Sequence, residues 1–252
     1  MVGSSPPART KINIRIIMNM RTEAKEKIEY VLFVLDESGS MESCKKETIN
    51  GFNEQLQELK KTSSIKTFVS LVKFNSAVNT LYWNKSLAEV EELTAKTYVP
   101  NGMTAMLDAV GQSVSKLKND TPTATDDVTF LVIILSDGAE NQSREYNWDS
   151  VREIITKCKE DKCWTITYMG ANQDLSQVRQ DLNIDLGNTS IYTATADGTQ
   201  YAFTTMSTGL ANYRSLRMAN TVGELAASGV MTAFYSSAGV TDSTTTADNI
   251  VR

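Results

Sequence analysis

Apolar and polar positions along this chain fall into two kinds of block. The first is a short unbroken apolar run: Val31–Leu35 inside YVLFVLDESGSM, and Val128–Leu135 (VTFLVIIL). Runs of this length suit strands buried on both faces, and Trp164–Met169 reads as a further strand. The second carries apolar residues at helical spacing, as in Cys44–Lys61 with Ile49, Phe52, Leu56 and Leu59. It predicts amphipathic helices there and over Thr104–Lys118, Trp148–Cys158 and Leu175–Leu182. Another helix is expected at about Gln200–Ala219, capped by Asp197-Gly198-Thr199, with Tyr201, Met206, Leu210 and Tyr213 as its apolar stripe. Lys66–Phe74 (KTFVSLVKF) alternates instead, and Asn75-Ser76 turns it into a second strand near Val78–Trp83, which predicts an antiparallel edge hairpin. Ser86-Leu87-Ala88-Glu89 reads as a capping box opening a short helix to about Leu93, and Ser190–Thr193 as a last short strand. Strands alternating with helices predict an α/β fold: a Rossmann-like open, mostly parallel central sheet with one antiparallel edge strand and helices on both faces.

At 252 residues the chain is long for one domain and short for two. One domain is expected over residues 29–219, between an N-terminal extension (1–28) and a C-terminal extension (220–252). Gly3–Arg9 is rich in Pro and Ser and reads as a flexible lead-in or an addition to the native chain, while the alternation of Ile12, Ile14 and Ile16 permits an extra edge strand. Asn13 and Arg15 interrupt the early apolar run, so no signal peptide is indicated, and no stretch approaches the roughly 18 apolar residues of a membrane span. The loop Asn119–Asp127, with Pro122, is expected to be mobile. Val222–Tyr235 permits one more short helix; the Ser-, Thr- and Asp-rich tail Ser236–Arg252 is expected to be disordered.

Charge and rare residues narrow the chemistry. A net charge of −5 with no basic block argues against a nucleic-acid surface. There is no histidine, which removes the commonest general base, the Ser/His and Cys/His nucleophilic arrangements and most zinc sites. The three cysteines, Cys44, Cys158 and Cys163, lack C-x-x-C spacing; they form neither a disulfide framework nor a metal clip and point to a reducing compartment such as the cytoplasm.

The candidate site begins where the first apolar run ends. Asp36 lies at the carboxyl end of a core strand, where open α/β sheets bind ligands, and Ser38, Gly39 and Ser40 follow at once. One carboxylate with two neutral hydroxyls is a hard, all-oxygen donor set, suited to Mg²⁺ or Mn²⁺ rather than Zn²⁺. Two further elements follow in the chain: Asn101-Gly102-Met103-Thr104 leading into a helix, and the strand Val128–Leu135 running into Ser136-Asp137-Gly138. In this order, strand-D-x-S-G-S-M, G-x-T and D-G resemble the metal-ion-dependent adhesion site of von Willebrand factor A domains, over roughly Glu29–Arg214. The longer stretch SDGAENQSREYNWDS resembles small prokaryotic and phage-encoded members of that family, which implies the cytoplasm of a bacterial or phage-infected cell.

That resemblance implies a metal held by Ser38, Ser40 and Thr104 through their hydroxyls, with Asp36 and Asp137 acting directly or through water. The expected ion is Mg²⁺, with Mn²⁺ or Ca²⁺ as substitutes. It further implies a binding module rather than an enzyme, in which a protein partner supplies an Asp or Glu to the metal. Singly, each residue has a plainer reading: a strand-to-helix cap for Ser38 and Ser40, a helix N-cap for Thr104, a turn aspartate for Asp137; their joint occurrence favours the metal. The alternative is a structural or assembly component, for example phage-encoded, that uses the fold as a scaffold. An Mg²⁺-dependent phosphatase resembling the haloacid dehalogenase family would want a second aspartate where Ser38 stands. Around the site, Asp108 reads as loop support or a solvated helix acid, Glu140 as a surface acid sooner than a support behind the site, Arg144 as a loop anchor or surface residue, and Tyr146 and Trp148 as core packing sooner than an aromatic anchor beside the metal.

Overall fold

The computed structural model describes residues 26–121, 127–171 and 174–236. The expected strand at Ile12–Ile16, Pro122 in the loop before Asp127, Asn172-Gln173 and the tail from residue 237 lie outside them. The elements in chain order are β1 (Lys27–Asp36), a 3₁₀ stretch (Gly39–Cys44), α1 (Lys45–Lys60), β2 (Ile65–Phe74), β3 (Val78–Ser86), α2 (Met106–Asp120), β4 (Val128–Ser136), α3 (Trp148–Glu160), β5 (Trp164–Gly170), α4 (Leu175–Leu182), β6 (Thr189–Ile191), α5 (Ala196–Ala219) and α6 (Val222–Ser228).

Six strands form one sheet in the order β3-β2-β1-β4-β5-β6, parallel throughout except for β3, which pairs antiparallel with β2 as the edge hairpin predicts. The apolar run of β1 serves both faces because side chains alternate across a strand. Leu32 and Val34 share one core with Met106 and Val110 of α2, Val151 and Ile155 of α3, and Leu182 of α4. Val31, Phe33 and Leu35 pack on the other face with Phe52 and Leu56 of α1 and Phe203, Met206 and Leu210 of α5. All three cysteines are free and buried.

Three expectations change in detail. Ser86 makes no capping bond, and only Leu87–Glu89 form a single 3₁₀ turn. The chain then runs extended because Val90 and Leu93 are drawn into the core and Asn53 satisfies the backbone of Leu93 in both directions, at 3.0 and 2.8 Å. Helix α5 begins at Ala196, with Thr195 as its N-cap accepting from the Gly198 N–H. Its buried stripe contains Phe203 rather than Tyr201, which is 57% exposed on the opposite side. Beyond Ala219 the chain stays in contact with the core: Val222, Leu225, Val230 and Met231 join one face, Phe234 and Tyr235 the other. The side chain of Asn188 holds this segment by bonding Met231 O and the Phe234 N–H.

Candidate metal centre

β1 and β4 are neighbours at the point where strand order reverses, so the connections leaving their carboxyl ends diverge to opposite faces and leave a crevice between them. Leu35 lies opposite Leu135, which sets Asp36 beside Ser136 and delivers Asp137 to the same mouth. Asp36 is fully buried. Its Oδ1 accepts the Ser38 N–H at 2.8 Å and its Oδ2 accepts the Ser136 hydroxyl at 2.6 Å. The hydroxyls of Ser38 and Ser40 are 3.0 Å apart, and Ser40 donates to Asp137 Oδ1 at 2.6 Å. A methyl group placed on Gly138 would lie 3.1 Å from Thr104 Oγ1 and 3.6 Å from Ser40 Oγ, so these two hydroxyls overhang the same glycine. The five residues singled out in the sequence thus meet at one place.

The surrounding loops are tied by groups the sequence reading did not find. Glu37, between Asp36 and Ser38, turns away from the crevice: its Oε1 accepts Lys73 Nζ at 2.7 Å and the Val99 N–H at 2.6 Å. Lys73 also donates to Thr97 O at 2.6 Å, and Tyr98 donates to Asp36 O at 2.5 Å. A lysine in the buried half of KTFVSLVKF was the available signal, since a buried ammonium needs an anion. Asn101 N–H bonds Glu37 O and Gly39 N–H bonds Gly102 O, while Gly102 adopts φ +75°, open to glycine at little cost. Asn141 clamps Thr104 from above, its side chain accepting the Thr104 N–H at 2.9 Å and its own N–H donating to Thr104 O at 3.1 Å.

Two acids prove to be supports of the loop after Asp137. Asp108 is buried and accepts the N–H groups of Arg144, Glu145 and Tyr146, at 2.8 to 2.9 Å, which decides between its two readings. Glu140 is not an idle surface acid: it accepts the N–H groups of Gln142, Ser143 and Leu107, the last in the first turn of α2. An acid there also complements the helix N-terminus. The Arg144 side chain is exposed, whereas Tyr146 and Trp148 pack against the core as expected.

Electrostatics favour a cation at this mouth. Burial pushes the Asp36 carboxyl up to about 6; the bonds from Ser136 and Ser38 oppose that rise, and the neighbouring charge of Asp137 adds to it. Asp137 is also raised by burial, partly offset by Ser40. A divalent ion would reverse both shifts by supplying the opposite charge. The spacing is compatible as well: at Mg–O distances of 2.0–2.1 Å, adjacent corners of an octahedron are about 2.9 Å apart, close to the 3.0 Å between the Ser38 and Ser40 hydroxyls. Among the described residues no cluster of three His, Cys, Asp or Glu side chains could hold a metal, so an ion here would draw on neutral oxygens besides the two carboxylates.

Comparison with known proteins agrees with this architecture. No curated protein matches the chain in sequence. Among solved structures it is similar to the PilB minor pilin from Streptococcus sanguinis, with a TM-score of 0.56 at 11% identity over 78% of this chain and 63% of that one. It is also similar to a von Willebrand factor type A protein from Catenulispora acidiphila, with a TM-score of 0.50 at 14% identity over 73% and 43%. The chain therefore spans less than two thirds of either neighbour's length, and at these identities the likeness concerns the fold. The sequence profile of the von Willebrand factor type A domain matches residues 31–205, more than half of the chain, and the chain belongs to that family.

Proposed function

We propose that this protein is a divalent-metal-dependent protein-binding module and not an enzyme, in which the partner presents an Asp or Glu to Mg²⁺ at the β1/β4 crevice. Domains of this family commonly bind a divalent metal and mediate protein–protein interaction. The observation that carries the proposal for this chain is the meeting of three hydroxyls, from Ser38, Ser40 and Thr104, with the carboxylates of Asp36 and Asp137 at one crevice. Ser38, Ser40 and Thr104 contribute neutral oxygens, while Asp36 and Asp137 contribute the charge that offsets a dication. Few anionic ligands leave such an ion electrophilic, so it attracts a carboxylate from outside. Asn141, Asp108 and Glu140 hold the upper loop and Glu37 with Lys73 holds the lower one, which fixes the donors before a partner arrives. Among the described residues no helix is long and apolar enough to cross a membrane.

The test is capture from a lysate of the source organism with the protein immobilised in Mg²⁺ and then washed with EDTA. Release by EDTA and failure of Thr104→Ala to retain the same partner are expected. A partner held through EDTA and equally by Thr104→Ala would favour the assembly-component reading instead.

A further inference from the structure

Two buried tyrosines, Tyr98 and Tyr192, lie behind the crevice, and their hydroxyls are used differently. That of Tyr98 donates to Asp36 O, whereas that of Tyr192 is buried and finds no hydrogen-bond partner among the described residues. Buried polar groups are rarely left so, and this one stands in register with the site. Ser136, Gly170 and Ile191 are partners across β4, β5 and β6, so the row that follows is Asp137, Ala171 and Tyr192. Two backbone bonds carry the row on past the strands: Ala171 N–H to Ser136 O at 3.1 Å and Tyr192 N–H to Gly170 O at 3.0 Å. Adjacent strands lie about 4.8 Å apart, which puts the Tyr192 backbone roughly 10 Å from that of Asp137, with the small side chain of Ala171 in the row between them. Ala171 and Tyr192 belong to the same core as Met41 and Cys44, on the face covered by α1 and α5. Burial holds the Tyr192 phenol well above its ordinary range, and of the neighbouring groups that add to the rise Asp137 is the largest, ahead of Cys44 and Asp36. The hydroxyl therefore stays protonated, a donor facing the Asp137 side of the crevice. Other buried oxygens without a partner, such as those of Glu29 and Tyr82, sit near the start of β1 and on the edge strand β3.

We infer that Tyr192 is a positioning residue of the metal centre: its hydroxyl donates to the Asp137 carboxylate when the ion is bound and holds that carboxylate in place. The inference rests on the metal-dependent reading above and deepens it. Ser40 Oγ is shared, since it donates to Asp137 Oδ1 at 2.6 Å and lies 3.0 Å from Ser38 Oγ. An ion that takes the Ser40 oxygen draws this serine towards itself, and a second donor then keeps Asp137 oriented. A hydroxyl buried without a bond is costly, so a bond made only in the ion-bound protein favours that form and adds to its affinity. A neutral phenol suits the task because it supplies a proton without competing as an anion for the ion.

Calorimetric titration of Mg²⁺ into the full chain and into Tyr192→Phe, with thermal unfolding of both in EDTA, tests this. Phenylalanine keeps the ring in the core and removes only the oxygen. Mg²⁺ affinity should fall roughly ten-fold, the usual scale for a group that orients a metal ligand. The thermal midpoint in EDTA should not fall, because the hydroxyl that is lost had no bond to lose. Thr199→Val serves as the control: it too deletes a buried hydroxyl without a partner, from α5 on the same face of the sheet, and should leave Mg²⁺ affinity unchanged. Equal Mg²⁺ affinity in Tyr192→Phe and the wild type, an equal loss in Thr199→Val, or a lowered midpoint of Tyr192→Phe in EDTA would each overturn the role of Tyr192 while leaving the metal site standing. A wild-type chain that binds no Mg²⁺ would overturn the metal reading, and this inference with it.

Discussion

β1 carries a fully buried carboxylate at each end, Glu29 near its start and Asp36 at its finish, and the protein treats them differently. Glu29 faces the guanidinium of Arg214, which also bonds Thr67 Oγ1 and Thr62 O. Beside it Arg217 donates to Asp127 O at 2.7 Å, and Lys27 bonds the carbonyls of Arg217, Met218 and Asn220 at the end of α5. Cations from the protein itself face the charge there, opposing the rise that burial imposes on the Glu29 carboxyl, and the result is a lock between α5 and the sheet. At the other end Asp36 has neutral hydrogen-bond partners and a second carboxylate, Asp137, as its charged neighbour. A buried charge without an internal cation is costly, and the proposed metal would offset that cost at this end.

The largest effect expected from breaking this contrast is at the locked end. Arg214→Ala leaves Glu29 buried without its guanidinium and should cost about 3–5 kcal/mol. For a protein of this size that lowers the thermal midpoint by roughly 10 °C, while Mg²⁺ affinity of the folded fraction should not change. A loss below about 1 kcal/mol would show that the pair is incidental.

The open end should show itself in pH dependence. Asp36 has a pKa raised from 3.8 to about 6 in the fold. The folded metal-free protein therefore binds more protons than the unfolded chain between those values, and this group's contribution to stability is full below the unfolded pKa and lost as pH rises through 6. A shift of this size corresponds to about 3 kcal/mol at most, and Asp137 adds in the same direction. Asp36→Asn should flatten that part of the profile and be the more stable protein at pH 8 in EDTA, as denaturant titrations at several pH values would register. Equal slopes for both proteins would mean that Asp36 is not held as a costly anion.

A smaller effect is expected at the loop that carries Thr104. Gly102→Ala forces an alanine to φ +75° and sets its Cβ 2.6 Å from Ser76 Oγ, which should cost about 1–2 kcal/mol. Because the strain falls between Gly39 and Thr104, Mg²⁺ binding should weaken along with stability, unlike in Arg214→Ala. Stability loss with unchanged metal binding would uncouple this loop from the centre.

The two ends also differed in how far they were legible. Asp36, Ser38 and Ser40 could be picked out because they sit where an apolar strand turns polar, whereas Thr104 and Asp137 were legible only through the resemblance, as the second and third elements of its motif. The Glu29–Arg214 pair spans 185 positions, and nothing local marks an arginine in a helix as buried. Asp108 and Glu140 were left undecided or misplaced for a related reason: their partners are backbone N–H groups of an irregular loop, which no side-chain pattern encodes. Tyr201 was misassigned because Phe203, two residues on, fits the helical phase of Met206 and Leu210 better. The apolar residues from Val222 to Tyr235 were visible, yet their spacing did not tell that they would divide between the two faces of the sheet.

Whether a divalent cation completes the Asp36 end is decided by calorimetric titration of Mg²⁺ into the wild-type protein and Ser40→Ala at pH 7.5. One site per chain is expected in the wild type, with a thermal midpoint raised by Mg²⁺ and returned by EDTA. Affinity should be at least roughly ten-fold weaker in Ser40→Ala, which lacks one of few ligands, with its fold intact. Absence of binding heat and of any midpoint shift in the wild type at millimolar Mg²⁺ or Mn²⁺, or equal binding by Ser40→Ala, would contradict a cation there.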